Sequence, residues 1–184
     1  MTFNINKFLN NSIFFYIIGV IFSVLIKYPA KVLYEDYDYS YTLAECVPQG
    51  WTKLFLQMCE DIRQPLIDAD YLDKFRFSQV KEKYGSLCCY NFGCPKTVER
   101  ILTKYEHISR YVCNVCGRPA TYETSGYILP WCTDCWKDRA RHEKGEFIEW
   151  NPTLTIERFT KESGMQEEVI DCSDEWYRLF NPLR

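Results

Sequence analysis

Histidine is nearly missing from this chain: its 184 residues include two, His107 and His142. So few imidazoles leave little room for a histidine general base or a histidine-ligated metal hydrolase. A nuclease of the His-Asn-His type needs catalytic histidines on a hairpin and a helix, and the hairpin read below has none. No glycine loop of the phosphate-cradling kind occurs. No nucleophile stands beside a base, and the adjacent carboxylates Glu167 and Glu168 would point to opposite faces of a strand. Positive charge is not in surplus either. Lys and Arg total 22 against 25 Asp and Glu, a net charge of -3, which excludes a surface built throughout to grip nucleic acid and leaves only local basic patches. Internal repeats and low-complexity tracts are also lacking. These absences point away from an enzyme.

Sulfur and aromatic rings are what the chain has in quantity, with 10 Cys, 14 Tyr, 12 Phe and 5 Trp. The rings give a short chain a large apolar payload for one core. Four cysteines form two pairs, Cys113-Asn-Val-Cys116 and Cys132-Thr-Asp-Cys135, the second beginning after an interval of 15 residues. Two intervening residues let a tight turn bring both thiolates of a pair onto one ion, and two such turns close a tetrahedron. Cys113, Cys116, Cys132 and Cys135 are therefore the expected ligands of one structural Zn²⁺. With four thiolates no coordination position stays open to activate water. Disulfides, or reduced cysteines without a metal, are the competing readings. The other six, Cys46, Cys59, Cys88, Cys89, Cys94 and Cys172, read as small buried hydrophobes in a reducing compartment. An even count also permits pairing in an oxidising one. Cys88, Cys89 and Cys94 lack the ligand spacing of a second metal site.

The expected fold class is α+β, a small helix-hairpin-helix core fused to a zinc-ribbon or treble-clef-like module, with an N-terminal transmembrane helix. Residues 12–28 carry that helix, since Ser12 to Ile26 is apolar and uncharged. At about 1.5 Å per residue the run reaches roughly 25 Å, near the ~30 Å of a bilayer core. Lys27 and Lys31 are placed to snorkel, and Pro29 ends the helix. A cleaved signal peptide is the rival, but Tyr28-Pro-Ala30 lacks the small-x-small pattern a peptidase prefers. Lysine balance and unpaired thiols both place the bulk of a single-pass protein in the cytoplasm. The expected divisions are an anchor over 1–29, an acidic tyrosine-rich tether over 30–47, a core over 48–112, the metal-bearing module over 113–145 and a tail over 146–184.

Within the core, Trp51, Leu54, Phe55, Met58 and Ile62 recur at helical spacing, so a helix spans 51–64 and ends or kinks at Pro65. Alternation about Gly85 predicts a hairpin from Phe75-to-Tyr84 and Ser86-to-Phe92. A second helix runs from Thr97, its candidate cap, up to Cys113 and delivers the chain into the first knuckle. His107 falls off its apolar stripe and reads as a surface residue. Between the cysteine pairs a short hairpin is expected about Thr124-Ser-Gly126, and after them a helix from Trp136 to Lys144. Short strands follow at 146–150, 153–157 and 167–171, then a helix from Ser173 through Phe180 with Ser173 as cap.

The order Gly50-Trp51, Met58-Cys59, Gln79-Val-Lys-Glu-Lys-Tyr-Gly-Ser-Leu87, Tyr105-Glu106, Ser109, Cys113-x-x-Cys-Gly-x-Pro-Ala120 and Trp131-Cys132 resembles a family of small proteins of phage, prophage and bacterial genomes. The resemblance covers about Pro48 to Trp136. It implies a compact α+β protein ending in a zinc knuckle and carries no activity with it. Two departures stand out. The family pattern has an arginine near Cys88, and a histidine as last ligand where this chain has Cys135. Without the arginine an anionic-ligand role for that strand loses its basis, whereas the change of ligand preserves zinc competence.

Two functional classes follow. One is a membrane-anchored, non-catalytic zinc-binding module that engages a protein partner. The alternative is nucleic-acid binding through Lys137, Arg141 and Lys144, one face of the helix after Cys135, with Asp138, Glu143 and Glu146 diluting its field.

Overall fold

The computed structural model describes residue 42 and residues 46–139 and 144–181. After one 3-10 turn, Gln49–Trp51, the chain forms helix α1 (Thr52–Asp68), a hairpin of β1 (Phe77–Lys83) and β2 (Ser86–Asn91), and helix α2 (Lys96–Ser109). Strands β3 (Tyr122–Thr124) and β4 (Pro130–Trp131) precede helix α3 (Thr133–Arg139) and strand β5 (Gly145–Phe147). A hairpin of β6 (Thr153–Thr160) and β7 (Gly164–Asp171) and helix α4 (Ser173–Phe180) complete it. All strand pairing is antiparallel, in three small sheets ordered β1-β2, β4-β3-β5 and β6-β7.

The expected fold class needs correction. Its transmembrane helix has no counterpart, because no helix among the described residues is long and apolar enough to cross a membrane. The longest, α1, has 17 residues and is amphipathic, with Lys53, Glu60, Asp61, Arg63 and Asp68 along its length. The architecture is α+β with small antiparallel sheets and, among the described residues, four α-helices. The single-pass placement with a cytoplasmic bulk is likewise not retained. The run over 12–28, on which both expectations rested, lies outside the described residues, as do the anchor and most of the tether.

Helix α1 buries Leu54, Phe55, Met58, Cys59, Ile62 and Leu66, the row its three- and four-residue spacing dictates. It runs through Pro65 to Asp68. A proline in the last turn removes only one amide bond, and the burial of Leu66 on the core row favours continuing. Asp70, at φ 50°, then turns the chain out of the helix. Helix α2 faces α1 with Val98, Leu102, Tyr105 and Ile108. It begins at Lys96 after Pro95, with no side-chain cap, so Thr97 is not the cap its sequence position suggested. At α4 the N-cap position is Cys172, which makes no side-chain cap bond, and Asp171 stands just before it. Asp171 Oδ1 accepts hydrogen bonds from Ser173 N at 2.9 Å and Ser173 Oγ at 2.6 Å, and Ser173 itself is the first helical residue.

Ile170, Cys172 and Leu179 join the same buried cluster as α1 and α2. A polar clasp crosses that junction. Asp61 accepts from Tyr105 Oη at 2.7 Å and from both terminal nitrogens of Arg178 at 2.8 and 2.6 Å. Aromatic rings cover the other side, where Trp150 stacks on Trp176 at 4.1 Å and Trp176 meets Phe180 edge-on. His107 belongs to this cluster and is half-buried, against the expectation of a surface residue. Its ring lies 5.3 Å from Tyr111 and 5.8 Å from Trp150. Its Nε2 is 2.8 Å from the Asn151 carbonyl.

Because Leu179 packs into the core made by α1 and α2, Leu179→Ala should cost about 2–4 kcal/mol in urea unfolding. Far-UV dichroism and tryptophan fluorescence should share one midpoint. A separate early transition confined to the tail would contradict a common core.

Candidate metal centre

The four paired cysteines meet. One ligand sulfur from each of Cys113, Cys116, Cys132 and Cys135 lies within 4.8 Å of every other, and Cys116 Sγ is 3.5 Å from Cys132 Sγ. Four sulfurs at about 2.3 Å from a central zinc would stand about 3.8 Å apart. The cluster therefore fits an ion, and the four residues can hold one. None of the ten cysteines is in a disulfide. Cys59 and Cys172 are fully buried among the core side chains, where burial holds the Cys59 thiol far above its ordinary range and pushes Cys172 up to about 11.

Local structure explains the convergence. In the first knuckle Gly117 N donates to Cys113 O at 2.9 Å and Cys113 N to Arg118 O at 2.8 Å. The second pair straddles a helix start: Trp136 N donates to Cys132 O at 2.9 Å, while Cys135 N lies 3.5 Å from Cys132 Sγ. Helix α3 thus begins at Thr133, earlier than the cysteine-to-tryptophan boundary suggested, and carries Cys135 in its first turn. Tyr122 of β3 stacks on Trp136 at 5.4 Å and fastens α3 to the sheet.

The centre is joined to the core at Gly50. Its N donates to Asn114 O at 2.9 Å, between the two cysteines of the first knuckle. The next residue, Trp51, donates Nε1 to Val112 O at 2.8 Å from a fully buried ring. A methyl group at Gly50 would overlap the Cys113 carbonyl and sit 2.7 Å from both Asn114 C and Gly117 N. The backbones touch because neither side brings a side chain.

A second joint lies at the tip of the first hairpin. Tyr84 and Gly85 have φ of 50° and 77°, matching a type I′ turn. Glu82 Oε1 accepts from Gly85 N at 2.8 Å and Oε2 from Tyr127 Oη at 2.6 Å, so this carboxylate ties the hairpin tip to the β3–β4 loop. Ser109, fully buried, accepts from Leu87 N at 2.7 Å and donates to Glu106 O at 2.6 Å. Cys88 donates to Glu106 Oε1 at 3.3 Å.

Arg118 was not singled out as a functional residue in the sequence. Its Nε donates to Cys116 Sγ at 3.4 Å and its Nη1 to Asp134 at 2.6 Å. Burial would raise the Cys116 thiol, but hydrogen bonds from Arg118 and the neighbouring sulfurs outweigh it and bring it down to about 6. Burial and hydrogen bonding to Cys116 and Cys132 instead push Cys135 up to about 12. In the metal-free cluster Cys116 thus favours the thiolate at neutral pH, and Cys135 must lose a proton for an ion to enter.

Of the basic stripe Lys137, Arg141 and Lys144, the described residues include the two lysines. Lys137 on α3 and Lys144 before β5 are exposed, and Arg141 and His142 lie outside the described residues. Comparison of the chain with protein-family models, curated proteins and solved structures finds no match.

Gly50→Ala should destabilise the fold by about 1–3 kcal/mol, the cost of overpacking, and weaken metal retention against a chelator. Unchanged chelation kinetics would separate the centre from the core. In metal-free protein the lowered Cys116 value stabilises the fold above the ordinary thiol range near 9. That contribution is lost as pH falls through about 6. Arg118→Ala should flatten this part of the stability–pH curve, and an unaltered curve would remove Arg118 from the account.

Proposed function

We propose that the protein is a zinc-binding interaction module with no reaction of its own, in which one structural Zn²⁺ braces a surface offered to a protein partner. The observation that supports it most is the donor set: four mutually close cysteine sulfurs. Soft thiolates in a tetrahedron select zinc or iron among the common metals, and four protein ligands leave no coordination site for substrate. Zinc bound there would fix the knuckles and add its binding energy to folding. This chain's residues do the rest. Gly50 and Trp51 lock the first knuckle to α1, Glu82 locks the second hairpin to the first, and Arg118 compensates thiolate charge.

The residues of the phage and bacterial resemblance support the same reading, since several of them work at these joints. Gly50, Trp51, Glu82, Gly85 and Ser109 hold elements together. An interaction role draws further support from large apolar side chains left on the surface, including Phe92 at 77% and Tyr127 at 72% exposure.

Metal analysis of the full-length chain, purified without added metal, should find about one equivalent of zinc. Cys132→Ser should lose most of it and destabilise the 113–139 region. Less than half an equivalent, or a Cys132→Ser variant that folds and melts as wild type, would overturn the site. Iron in place of zinc would overturn the identity of the metal alone.

A further inference from the structure

The β6–β7 ribbon has two unlike faces, and among the described residues only one is occupied. The register pairs Leu154 with Ile170, Ile156 with Glu168 and Arg158 with Gln166 on one face. That face is turned to the core side. Ile170 is buried, Arg158 meets Glu99 and Glu168 at 3.5 Å each, and Arg100 meets Glu168 at 2.6 Å. The opposite face carries Thr155 across from Val169, Glu157 across from Glu167, and Phe159 across from Met165. Phe159, Met165 and Val169 are 71%, 60% and 64% exposed.

On this outer face the two glutamates oppose each other directly, and among the described residues neither has an ion-pair partner. Like charges facing across a ribbon are destabilising, and among the described residues the arginines paired with the ribbon's glutamate, Arg100 and Arg158, serve the inner face. The arrangement is poor for the fold alone and suited to a cation arriving from outside, flanked by apolar groups. Among the described residues β6 and β7 pair only with one another, so no third strand covers an edge of the ribbon. Open edges of this kind accept an added strand, whose backbone gives affinity while alternate side chains give selectivity.

We propose that the β6–β7 ribbon takes up an extended segment of a protein partner whose alternate side chains on one face run apolar, basic, apolar. The basic group lies beside Glu157 and Glu167, one apolar group extends the Phe159–Met165 row, and the other meets the Thr155–Val169 row. Successive rows are two residues apart, about 6.8 Å along a strand. An extended partner keeps that step, whereas a helix, rising about 5.4 Å per turn, falls out of register. The assignment rests on the interaction-module reading and names the chemistry of its partner.

The test pans a displayed library of short random peptides against the full-length, metal-loaded chain, then titrates labelled synthetic copies of those enriched. Enriched peptides should carry Lys or Arg flanked at alternate positions by apolar residues, and their binding should weaken with salt. The Glu157→Lys, Glu167→Lys double variant should weaken binding by about tenfold or more, and Phe159→Ser should also weaken it. Glu157→Lys alone places a cation opposite Glu167, so its melting temperature should hold or rise while peptide binding falls. A merely structural role for the carboxylates would lower stability instead. Enriched peptides that bind the double variant as well as wild type, or that are acidic, would overturn the ribbon assignment and leave the interaction reading standing. If no peptide of any pattern enriches, the interaction reading falls as well. Self-association abolished by Phe159→Ser would assign the face to a second copy of this chain and overturn the proposal.

Discussion

The contact on which the structure depends is between backbones: Gly50 lies against the first cysteine knuckle with no side chain between them. Through it the four sulfurs are joined to the start of α1, and Trp51 adds a buried ring and an indole hydrogen bond to Val112. The binding energy of a structural zinc in small domains is on the order of 10–16 kcal/mol, comparable with the whole stability of a typical domain, about 5–15 kcal/mol. Exposed ion pairs such as Arg118–Asp134 are screened by water and contribute far less. Thiolate ligation of an ion there would therefore outweigh every surface interaction around the four cysteines. The joint carries that constraint into the aromatic core.

The same logic explains the position of Glu82 in a charged hairpin tip. Its two oxygens serve different partners, one closing the Tyr84-Gly85 turn and the other holding Tyr127 of the next hairpin. A charged run that looks like a solvated turn is thus half-used for assembly. Lys83 remains exposed and keeps the tip polar. At the far end of the chain the Asp61–Arg178–Tyr105 clasp fixes α4, so the ribbon preceding it has a firm base and, among the described residues, one exposed face.

Much of this was legible because local periodicity and local chemistry agree. Leu54, Phe55, Met58 and Ile62 mark α1 by their spacing, Gly85 marks the first hairpin, and the two cysteine pairs mark the centre. The misreadings have physical causes. Pro65 looked like a helix end, but in the last turn its cost is one hydrogen bond and the burial of Leu66 continues the helix. Ser173 looked like a cap because its hydroxyl suits one, yet Asp171 is placed to accept from both its amide and its hydroxyl. His107 is off the apolar stripe of α2, yet it packs against Tyr111 and against Trp150, which is distant in sequence. The pairing of β5 with β3, the joint at Gly50 and the contact of Arg118 with Cys116 were illegible for the same reason. Each depends on residues far apart in sequence or on geometry that forms only once the knuckle is closed. The membrane span expected over 12–28 was drawn from apolar length and the flanking Lys27, Lys31 and Pro29, and among the described residues the helices carry polar faces.

X-ray absorption at the zinc edge of the full-length protein tests the central claim most directly, because it counts the atoms around the metal. The account predicts four sulfur neighbours at about 2.3 Å and no nitrogen or oxygen in the first shell. Fewer than four sulfurs, or a shell completed by oxygen or nitrogen, would contradict a closed thiolate site.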